Sequence, residues 1–357
     1  MKIITVVGAR PQFIKASAIS RCVRNDFSQE MTEIMIHTGQ HFDANMSDIF
    51  FEDLEIPKPK YHLNIAGGNH GAMTGRMMEG IEEVVVTEKP DVVLVYGDTN
   101  STLAAALVAS KLHIPIAHVE AGLRSFNRHM PEEVNRVMTD HVSTYLFCPT
   151  TLSVENLKLE GITKGVHQVG DVMYDVAIYF ANKAKLHSSI LEKLNLSEKN
   201  YVLVTCHRAE NTDDKIRLEN ILKALAEIAK DIEVIFPIHP RTLKYITKYN
   251  LASYLQSICV VEPLSYLDLV ALQQSSKLIF TDSGGVQKEA FFYQVPCITM
   301  RDETEWVETV EFGWNTLVGA DTDKMIQAVT SSSHGAQSIY PYGNGNASSI
   351  ILNYLRA

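Results

Sequence analysis

The sequence lacks the features that mark several common classes of protein. Its five cysteines are scattered and form no C-x-x-C pair, so they indicate core thiols in a reducing compartment and no zinc or redox motif. No Lys/Arg-rich stripe accompanies the net charge of −10, which argues against nucleic-acid binding. No apolar run reaches the ~18 residues that span a membrane, and no charged, then apolar leader precedes the first strand. We therefore expect a cytoplasmic protein that binds neither nucleic acid nor membrane.

Signatures of cofactors and metals are also missing. The first predicted strand, 2–8, leads into Ala9-Arg10-Pro11-Gln12 and not into G-x-G-x-x-G, so NAD or FAD is not indicated. There is no G-x-S-x-G elbow of a serine hydrolase. Four histidines near strand ends, His37, His41, His118 and His239, belong to no H-E-x-x-H metal-binding signature. We predict a site without metal or cofactor.

What the sequence does contain is a regular alternation of apolar strands and longer helical patterns. The length of 357 residues fits two domains, and 46% hydrophobic with 21% charged residues is ordinary for a globular protein. Strands followed by helices of ten or more residues predict a parallel, doubly wound sheet. The predicted fold class is α/β, with two Rossmann-like domains, 1–170 and 171–346, facing a cleft. The last helix, 347–357, is predicted to pack back on the first domain.

The stretch from Thr281 to Ala290 is the strongest local signal. It indicates a buried strand, a tight turn and the start of a helix. Ser283 is positioned to cap that helix, while Gly284 and Gly285 let a ligand approach the unpaired amides, which favours a phosphate. Glu289 follows within the helix and suits the hydroxyls of a ribose, so the stretch suggests a nucleotide. A capped helix with glycines for packing is the alternative.

Three carboxylates and one histidine are candidates for catalysis. Asp98 and Glu120 each end an apolar strand, Glu132 opens a helix, and His207 ends the first strand of the second domain. Partial desolvation at a strand end raises the pKa of a carboxyl group and suits it to proton transfer. Alternatively, Asp98 is the N-cap of the next helix, and Glu132 is a first-turn charge favoured by the helix dipole.

Six motifs in order make the sequence resemble the non-hydrolysing UDP-N-acetylglucosamine 2-epimerases. They are GARPQFIK (8–15), YGDT (96–99), HVEAGLR (118–124), PEEVNR (131–136), CHR (206–208) and DSGGVQKE (282–289). The resemblance implies a glycosyltransferase-B-like fold, a UDP-sugar substrate and a homodimer. It places Asp98, Glu120, Glu132 and His207 in the catalytic set, without saying which carboxylate is acid and which is base. The implied substrate-binding residues are Arg10, Lys15, Arg136, Arg241, Leu269, Ser283, Gly284, Gly285 and Glu289.

The chemistry implied is epimerisation at carbon 2 by elimination of UDP and its re-addition, for the synthesis of cell-surface polysaccharide precursors. Such a reaction needs a held diphosphate, proton-transfer groups and exclusion of water. Leu269 stands where the family often has an aromatic residue, Trp306 stands where many members have an arginine, and the segment 39–43 lacks an arginine tied to activation by a second substrate molecule.

The GARPQF motif together with Trp306 is similar to the branch that epimerises UDP-2,3-diacetamido-glucuronate. The C6 carboxylate of that sugar requires a cation, for which Arg124, Arg128 and Arg241 are candidates. Other readings that stay open are a hydrolysing epimerase, a retaining UDP-sugar glycosyltransferase and a nucleotide-sugar-binding regulator.

Overall fold

The computed structural model describes residues 1–40, 51, 55–331, 335–336 and 340–357. The chain divides into two compact units, one formed by Met1–Val176 with Tyr340–Ala357 and the other by Ala177–Ile339. Each unit contains one parallel sheet whose strands alternate with helices, which confirms the predicted α/β class with two doubly wound domains. The predicted helix over 46–54, apart from Phe51, and the candidate His41 lie outside the described residues.

The described strands and helices follow one another in regular alternation. The strands are β1 (Lys2–Val7), β2 (Thr32–His37), β3 (Tyr61–His62), β4 (Val92–Tyr96), β5 (Ile116–Val119), β6 (Tyr145–Cys148), β7 (Val166–Gln168), β8 (Tyr201–Thr205), β9 (Glu233–Pro237), β10 (Cys259–Val261), β11 (Leu278–Thr281), β12 (Cys297–Thr299) and β13 (Asn315–Leu317). The helices are α1 (Arg10–Asp26), α2 (His70–Glu88), α3 (Asn100–Lys111), α4 (Pro131–Val142), α5 (Thr151–Leu159), α6 (Val172–His187), α7 (Ile190–Lys193), α8 (Ala209–Thr212), α9 (Lys215–Ile228), α10 (Pro240–Lys248), α11 (Tyr266–Ser275), α12 (Gly284–Phe292), α13 (Val307–Glu311), α14 (Thr322–Ser331) and α15 (Ala347–Arg356). A 3₁₀ helix spans Ala252–Ser257.

Both sheets are parallel throughout. The first has the strand order β3-β2-β1-β4-β5-β6-β7, and the second has the order β10-β9-β8-β11-β12-β13. Every residue of β4 and of β8 is buried, as expected for parallel strands covered on both faces. Helix α9 buries Leu218, Ile221, Leu222 and Leu225, whose spacing of three and four residues forms one apolar face. None of the helices in the described segments is both long and apolar enough to cross a membrane.

The C-terminal helix α15 belongs to the first unit and contacts α1. Its N-terminus is capped from outside the helix, because the carboxylate of Asp175 accepts hydrogen bonds from the amides of Ala347 (3.1 Å) and Ser348 (2.8 Å). Near its other end, Arg356 forms an ion pair with Glu30 at 3.2 Å. Burial raises the pKa of Asp175 more than these amide bonds lower it. The cap therefore connects α6 to the last helix within one unit.

Replacing Asp175 by alanine removes both acceptors from the first turn of α15. We expect Asp175→Ala to lower the free energy of unfolding by about 1 kcal/mol, the usual effect of losing a helix cap, and to speed hydrogen exchange of the α15 amides. Urea denaturation and hydrogen exchange by mass spectrometry measure the two effects. Asn353→Ala is the matched control, since Asn353 is exposed on the same helix and bonds only to Ser349 O among the described residues. Equal effects of the two substitutions contradict the assignment.

Candidate functional site

Several of the predicted site residues follow the strands at which the order of each sheet reverses. In the first unit the reversal lies between β1 and β4, and in the second it lies between β8 and β11. Open α/β sheets bind ligands at such switch points, beyond the carboxyl ends of the strands. Lys15 follows β1 and Asp98 follows β4, while His207 follows β8 and Ser283 follows β11. The topology thus defines one candidate site in each unit.

In the first unit, four predicted residues form a carboxylate cluster: Asp98, Glu120, Lys15 and Arg136. The ammonium of Lys15 donates to Glu120 Oε2, and Arg136 Nη2 donates to Asp98 Oδ2 at 2.5 Å. Glu120 is 5% exposed, and the side chain of Asp98 is 31% exposed. Each carboxylate is therefore matched by one cation, and Asp98 keeps partial access to solvent.

The pKa of Asp98 lies above its ordinary value. Burial is the largest cause, and the neighbouring negative charge of Glu120 adds to it, whereas Arg136 and Lys15 act in the opposite direction. A carboxyl group with a raised pKa is suited to taking up and returning protons near neutral pH. Asp98 is not the N-cap of α3, because that position belongs to Thr99, whose hydroxyl accepts from the Thr102 amide.

The ion pair between Lys15 and Glu120 lies close to the backbone of Gly97. A Cβ at Gly97 would lie 3.3 Å from Glu120 Oε2 and 3.4 Å from Lys15 Nζ, and Gly97 has a φ of +62°. Glu120 itself has a φ of +69°, which is uncommon outside glycine and costs roughly 1–2 kcal/mol. Such strain at a strand end is typical of functional positions. Gly97 leaves the space in which the ion pair lies.

Gln12, which the sequence analysis did not single out for a role, fixes the turns on both sides of the switch point. Its side-chain oxygen accepts from the amides of Gly8 (2.8 Å) and Ala9 (3.1 Å), and its amide nitrogen donates to Tyr96 O (2.8 Å) and to Thr102 Oγ1 (2.9 Å). Gln12 is 2% exposed. One buried amide thus joins the end of β1 to the end of β4.

The remaining predicted residues of the first unit lie at exposed helix starts. Glu132 is exposed in the first turn of α4 and makes no hydrogen bond or ion pair among the described residues, and Arg10 is exposed at the start of α1. The neighbouring Glu133 is buried and accepts from the amides of Ser125 (2.9 Å) and Phe126 (3.0 Å). Glu133 therefore holds the loop before α4, and Glu132 is left accessible.

In the second unit, the fully buried Asp282 orders the turn after β8. Its carboxylate accepts from the amides of His207 (3.1 and 3.0 Å) and Arg208 (3.0 Å) and from Asn211 Nδ2 (3.2 Å). The side chain of His207 is 41% exposed, with Nδ1 at 3.8 Å from Asp282 Oδ1. The imidazole of His207 therefore stays accessible on a turn that Asp282 fixes.

Ser283, Gly284 and Gly285, here called the glycine turn, begin helix α12. Ser283 is the N-cap residue, but its hydroxyl makes no capping bond among the described residues. A Cβ at Gly284 would lie 2.8 Å from Glu305 Oε1 and 2.9 Å from Trp306 Nε1, so no larger residue fits there without displacement. The capping bond anticipated from the sequence is thus not formed among the described residues, and Glu305 and Trp306 pack closely against the turn.

Charged groups surround the glycine turn. Lys288 is 1% exposed and places its ammonium 3.9 Å from the centre of the Trp306 ring, a cation–π contact. Glu305 pairs with Arg301 at 3.0 Å; its burial raises its pKa, but Arg301 and Arg208 outweigh this and hold it below the ordinary value. Two cations, Arg301 and Arg208, thus lie near the Glu305 carboxylate beside the predicted diphosphate turn, and Lys288 lies against the neighbouring Trp306 ring.

Glu289, the predicted ribose carboxylate, is 4% exposed. Tyr266 donates to its Oε1 at 2.8 Å, and Gln273 donates to its Oε2 at 2.7 Å. Both donors belong to α11, the helix that carries Leu269, which is half-buried against the core. Two hydrogen bonds therefore fix the carboxylate of Glu289. The residues predicted for the ribose and the uracil, Glu289 and Leu269, lie on the contacting helices α12 and α11.

Two arginines considered for a sugar carboxylate already bind protein carboxylates. Arg241 makes a bidentate pair with Asp213 at 2.6 and 2.7 Å, and it also donates to Thr212. Arg124 is buried between Asp140 and Glu160, and these partners raise its pKa against the effect of burial. Within the described segments, no group of three or more His, Cys, Asp or Glu side chains is arranged to hold a metal ion.

Alanine substitutions at the two glycines of the turn are expected to differ in their effect on stability. Gly284→Ala forces Glu305 or Trp306 to move, so we expect it to lower the free energy of unfolding by about 1–3 kcal/mol. Gly285→Ala is the matched control. Its Cβ meets only Ser283 Oγ at 3.8 Å, so this variant is expected to be neutral or to stabilise by about 0.4–1 kcal/mol. Urea denaturation of both variants measures the difference, and a harmless Gly284→Ala would refute the close packing.

The chain is similar to known proteins over nearly its whole length. Residues 25–356 match the family model for UDP-N-acetylglucosamine 2-epimerase. A relative from Pseudomonas aeruginosa, named UDP-2,3-diacetamido-2,3-dideoxy-D-glucuronate 2-epimerase, is 53% identical over 99% of both chains. A relative from Methanococcus maripaludis, named a UDP-N-acetylglucosamine 2-epimerase homolog, is 52% identical over 100% of this chain and 99% of its own.

A solved structure is similar over the same extent. The UDP-GlcNAc 2-epimerase of Methanocaldococcus jannaschii, crystallised with UDP-GlcNAc and UDP, superposes with a TM-score of 0.90 at 47% identity and 99% coverage of both chains. The match of sequence, fold and family model confirms the resemblance carried by the six motifs. The chain belongs to the UDP-N-acetylglucosamine 2-epimerase family.

Proposed function

We propose that this sugar-nucleotide 2-epimerase, an isomerase by family, acts on UDP-N-acetylglucosamine and inverts carbon 2 to the manno configuration. The observation that carries the proposal is the carboxylate cluster, in which Asp98 and Glu120, which follow the neighbouring strands β4 and β5, each pair with a cation. Proton removal and return at one carbon need two such groups or one group used twice. The named ligands of the Methanocaldococcus jannaschii enzyme supply the substrate class.

The reaction balances without an external co-reactant. A carboxylate takes the C2 proton, the bond from C1 to the phosphate oxygen breaks, and UDP leaves with that electron pair to give a 1,2-unsaturated sugar. The reverse steps deliver a proton to the other face of C2 and rejoin UDP at C1. Asp98 and Glu120 are the proton-transfer groups in this proposal, and the exposed Glu132 is a third candidate.

The second unit is proposed to hold UDP. The glycine turn offers the first amides of α12 to the diphosphate, as helix N-termini do for phosphates. Arg208 follows the exposed His207 on the neighbouring turn and carries a fixed positive charge toward Glu305. Glu289 is assigned to the ribose and Leu269 to the base. Retaining the departed UDP is essential, since its loss would release an unsaturated sugar and no epimer.

Proton NMR in deuterated water with UDP-N-acetylglucosamine tests the proposal. We expect the C2 proton to be replaced by deuterium and a UDP-manno signal to grow without accumulation of free UDP. Asp98→Asn is expected to slow both signals by about 10²–10⁴-fold, the usual contribution of a proton-transfer group. Asp26→Asn, on an exposed carboxylate of α1, is the matched control. Free UDP without epimer would point to hydrolysis, and an unchanged spectrum would exclude this substrate.

A second candidate substrate is UDP-2,3-diacetamido-2,3-dideoxy-glucuronate, the sugar named for the Pseudomonas aeruginosa relative. Of the three arginines considered for its C6 carboxylate, Arg128 is exposed and makes no ion pair among the described residues, whereas Arg124 and Arg241 are engaged. Parallel NMR time courses with the two nucleotides decide between the candidates.

From the family resemblance we also propose a cytoplasmic homodimer that feeds cell-surface polysaccharide synthesis, such as O-antigen or capsule.

The pairing of Asp98 with Arg136 predicts a change in the pH profile. The guanidinium favours the charged carboxylate, so Arg136→Gln is expected to raise the pKa of Asp98 further above its ordinary value. The limb of the kcat/KM profile that reports Asp98 therefore moves to higher pH, whether Asp98 acts as base or as acid. Arg24→Gln, at an exposed arginine that pairs with Glu55, should leave both limbs in place. A profile unmoved by Arg136→Gln argues against Asp98 as the titrating group.

A further inference from the structure

A buried polar network in the first unit adjoins the carboxylate cluster but includes none of its members. It consists of His118, Asp140, Arg124 and Glu160. His118 is 0% exposed, Asp140 is 1% exposed and Arg124 is 7% exposed. The sequence alone indicated no metal-binding role for His118. Three buried ionisable side chains next to a proton-transfer site need a physical reason, since burying charge is unfavourable unless it is paired.

Asp140 is the centre of the network. Its carboxylate accepts from His118 Nδ1 (2.7 Å), from Arg124 Nη1 (2.7 Å) and from the amide of Gly122 (3.1 Å). Burial raises the pKa of Asp140, but His118 and Arg124 outweigh it and hold the pKa below the ordinary value. The carboxylate is thus kept ionised and oriented by three donors.

One donor holds the backbone of Glu120. The Gly122 amide lies in the turn directly after Glu120, whose left-handed conformation is unfavourable by itself. The Ala121 amide, between them, donates to Phe147 O at 3.2 Å. With these two bonds the turn is fixed, so Asp140 stabilises the conformation that directs Glu120 toward Lys15.

Another donor reaches the backbone of Asp98. His118 Nε2 lies 2.8 Å from Gly97 O, the carbonyl of the peptide bond that leads into Asp98. On the other side, Asn135 Nδ2 donates to Asp98 O at 2.9 Å. Since both ring nitrogens of His118 face acceptors, the two bonds form together only when both nitrogens carry hydrogen. His118 thereby couples the Asp140 carboxylate to the Asp98 main chain.

Helix α4 carries both ends of this arrangement. Arg136 pairs with Asp98, and Asp140 follows four residues later on the same helix face. We propose that Asp140 and His118 are positioning residues, which together fix the orientation of the Asp98 and Glu120 carboxylates for proton transfer. This inference rests on the proposed epimerase function.

The first test is Asp140→Asn. An amide group replaces one acceptor oxygen by a donor, so at least one of the three donors loses its partner. Misplacing a catalytic group by about 1 Å can cost 10²-fold in rate, and we expect kcat to fall by about that factor. KM for the nucleotide sugar and Kd for UDP are expected to stay within about twofold, because the glycine turn belongs to the other unit. A general loss of folding would lower UDP binding as well.

A pair of histidine variants tests the route through Gly97. Glutamine places its amide nitrogen near the position of Nε2, and asparagine places it near Nδ1. His118→Gln is therefore expected to keep the bond to Gly97 O and to retain at least about tenfold more activity than His118→Asn. If asparagine supports the reaction as well as glutamine does, positioning through the Gly97 carbonyl is refuted.

Glu160→Gln is the matched control for stability. Glu160 binds Arg124 through two 2.7 Å bonds and touches none of the groups that Asp140 holds in place around Glu120 and Asp98. We expect a lower Tm with kcat within about twofold of the wild type. If Asp140→Asn lowers kcat no more than Glu160→Gln does, the inference is overturned. A wild-type enzyme inactive on both nucleotides would refute the proposed function, and with it this inference.

Discussion

The candidate site of the first unit depends on two ion pairs, in which the carboxylates of Asp98 and Glu120 pair with Arg136 and Lys15. Because β4 and β5 are parallel neighbours, the groups that follow them, Asp98 and Glu120, meet at one edge of the sheet. Repulsion between the carboxylates contributes to the raised pKa of Asp98, and Lys15 and Arg136 offset it. The two cations lie on α1 and α4, so both ion pairs require those helices to keep their positions beside the sheet. Gly97, which has no side chain, leaves the space that the ion pair between Lys15 and Glu120 occupies.

Each unit also uses one buried aspartate to order the backbone of a site turn. Asp140 binds the amide after the Glu120 turn, and Asp282 binds the amides of His207 and Arg208. A carboxylate that accepts several N–H groups forms charge-assisted bonds, which offset the conformational entropy lost in ordering a turn. The buried carboxylates of Asp140 and Asp282 therefore hold the backbone of the turns, whereas the more exposed side chains of His207 and Asp98 remain accessible to a ligand.

The sequence predicted the parts that follow from local pattern. Apolar strands and parallel connections were sufficient to bring Asp98 and Glu120 together, and the glycine turn was evident from its residues. The roles of Gln12, Glu133 and Asp140 were not evident, because each depends on partners brought near by the fold, such as Tyr96, which lies 84 residues from Gln12. For the same reason the sequence offered Arg124 and Arg241 as available cations, whereas the structure engages both with carboxylates.

In the proposal that Arg128 binds the C6 carboxylate, discrimination between the two candidate substrates depends on the solvent exposure of Arg128 in the complex. An exposed ion pair is worth about 0–1 kcal/mol and is weakened by salt, so Arg128 as an exposed side chain would barely separate a glucuronate from a neutral sugar. Desolvation on binding would strengthen the same contact several-fold, but it would also penalise the neutral sugar by leaving the guanidinium unpaired. If Arg128 is the cation that binds the C6 carboxylate, specificity for the charged sugar therefore requires burial of Arg128 in the complex.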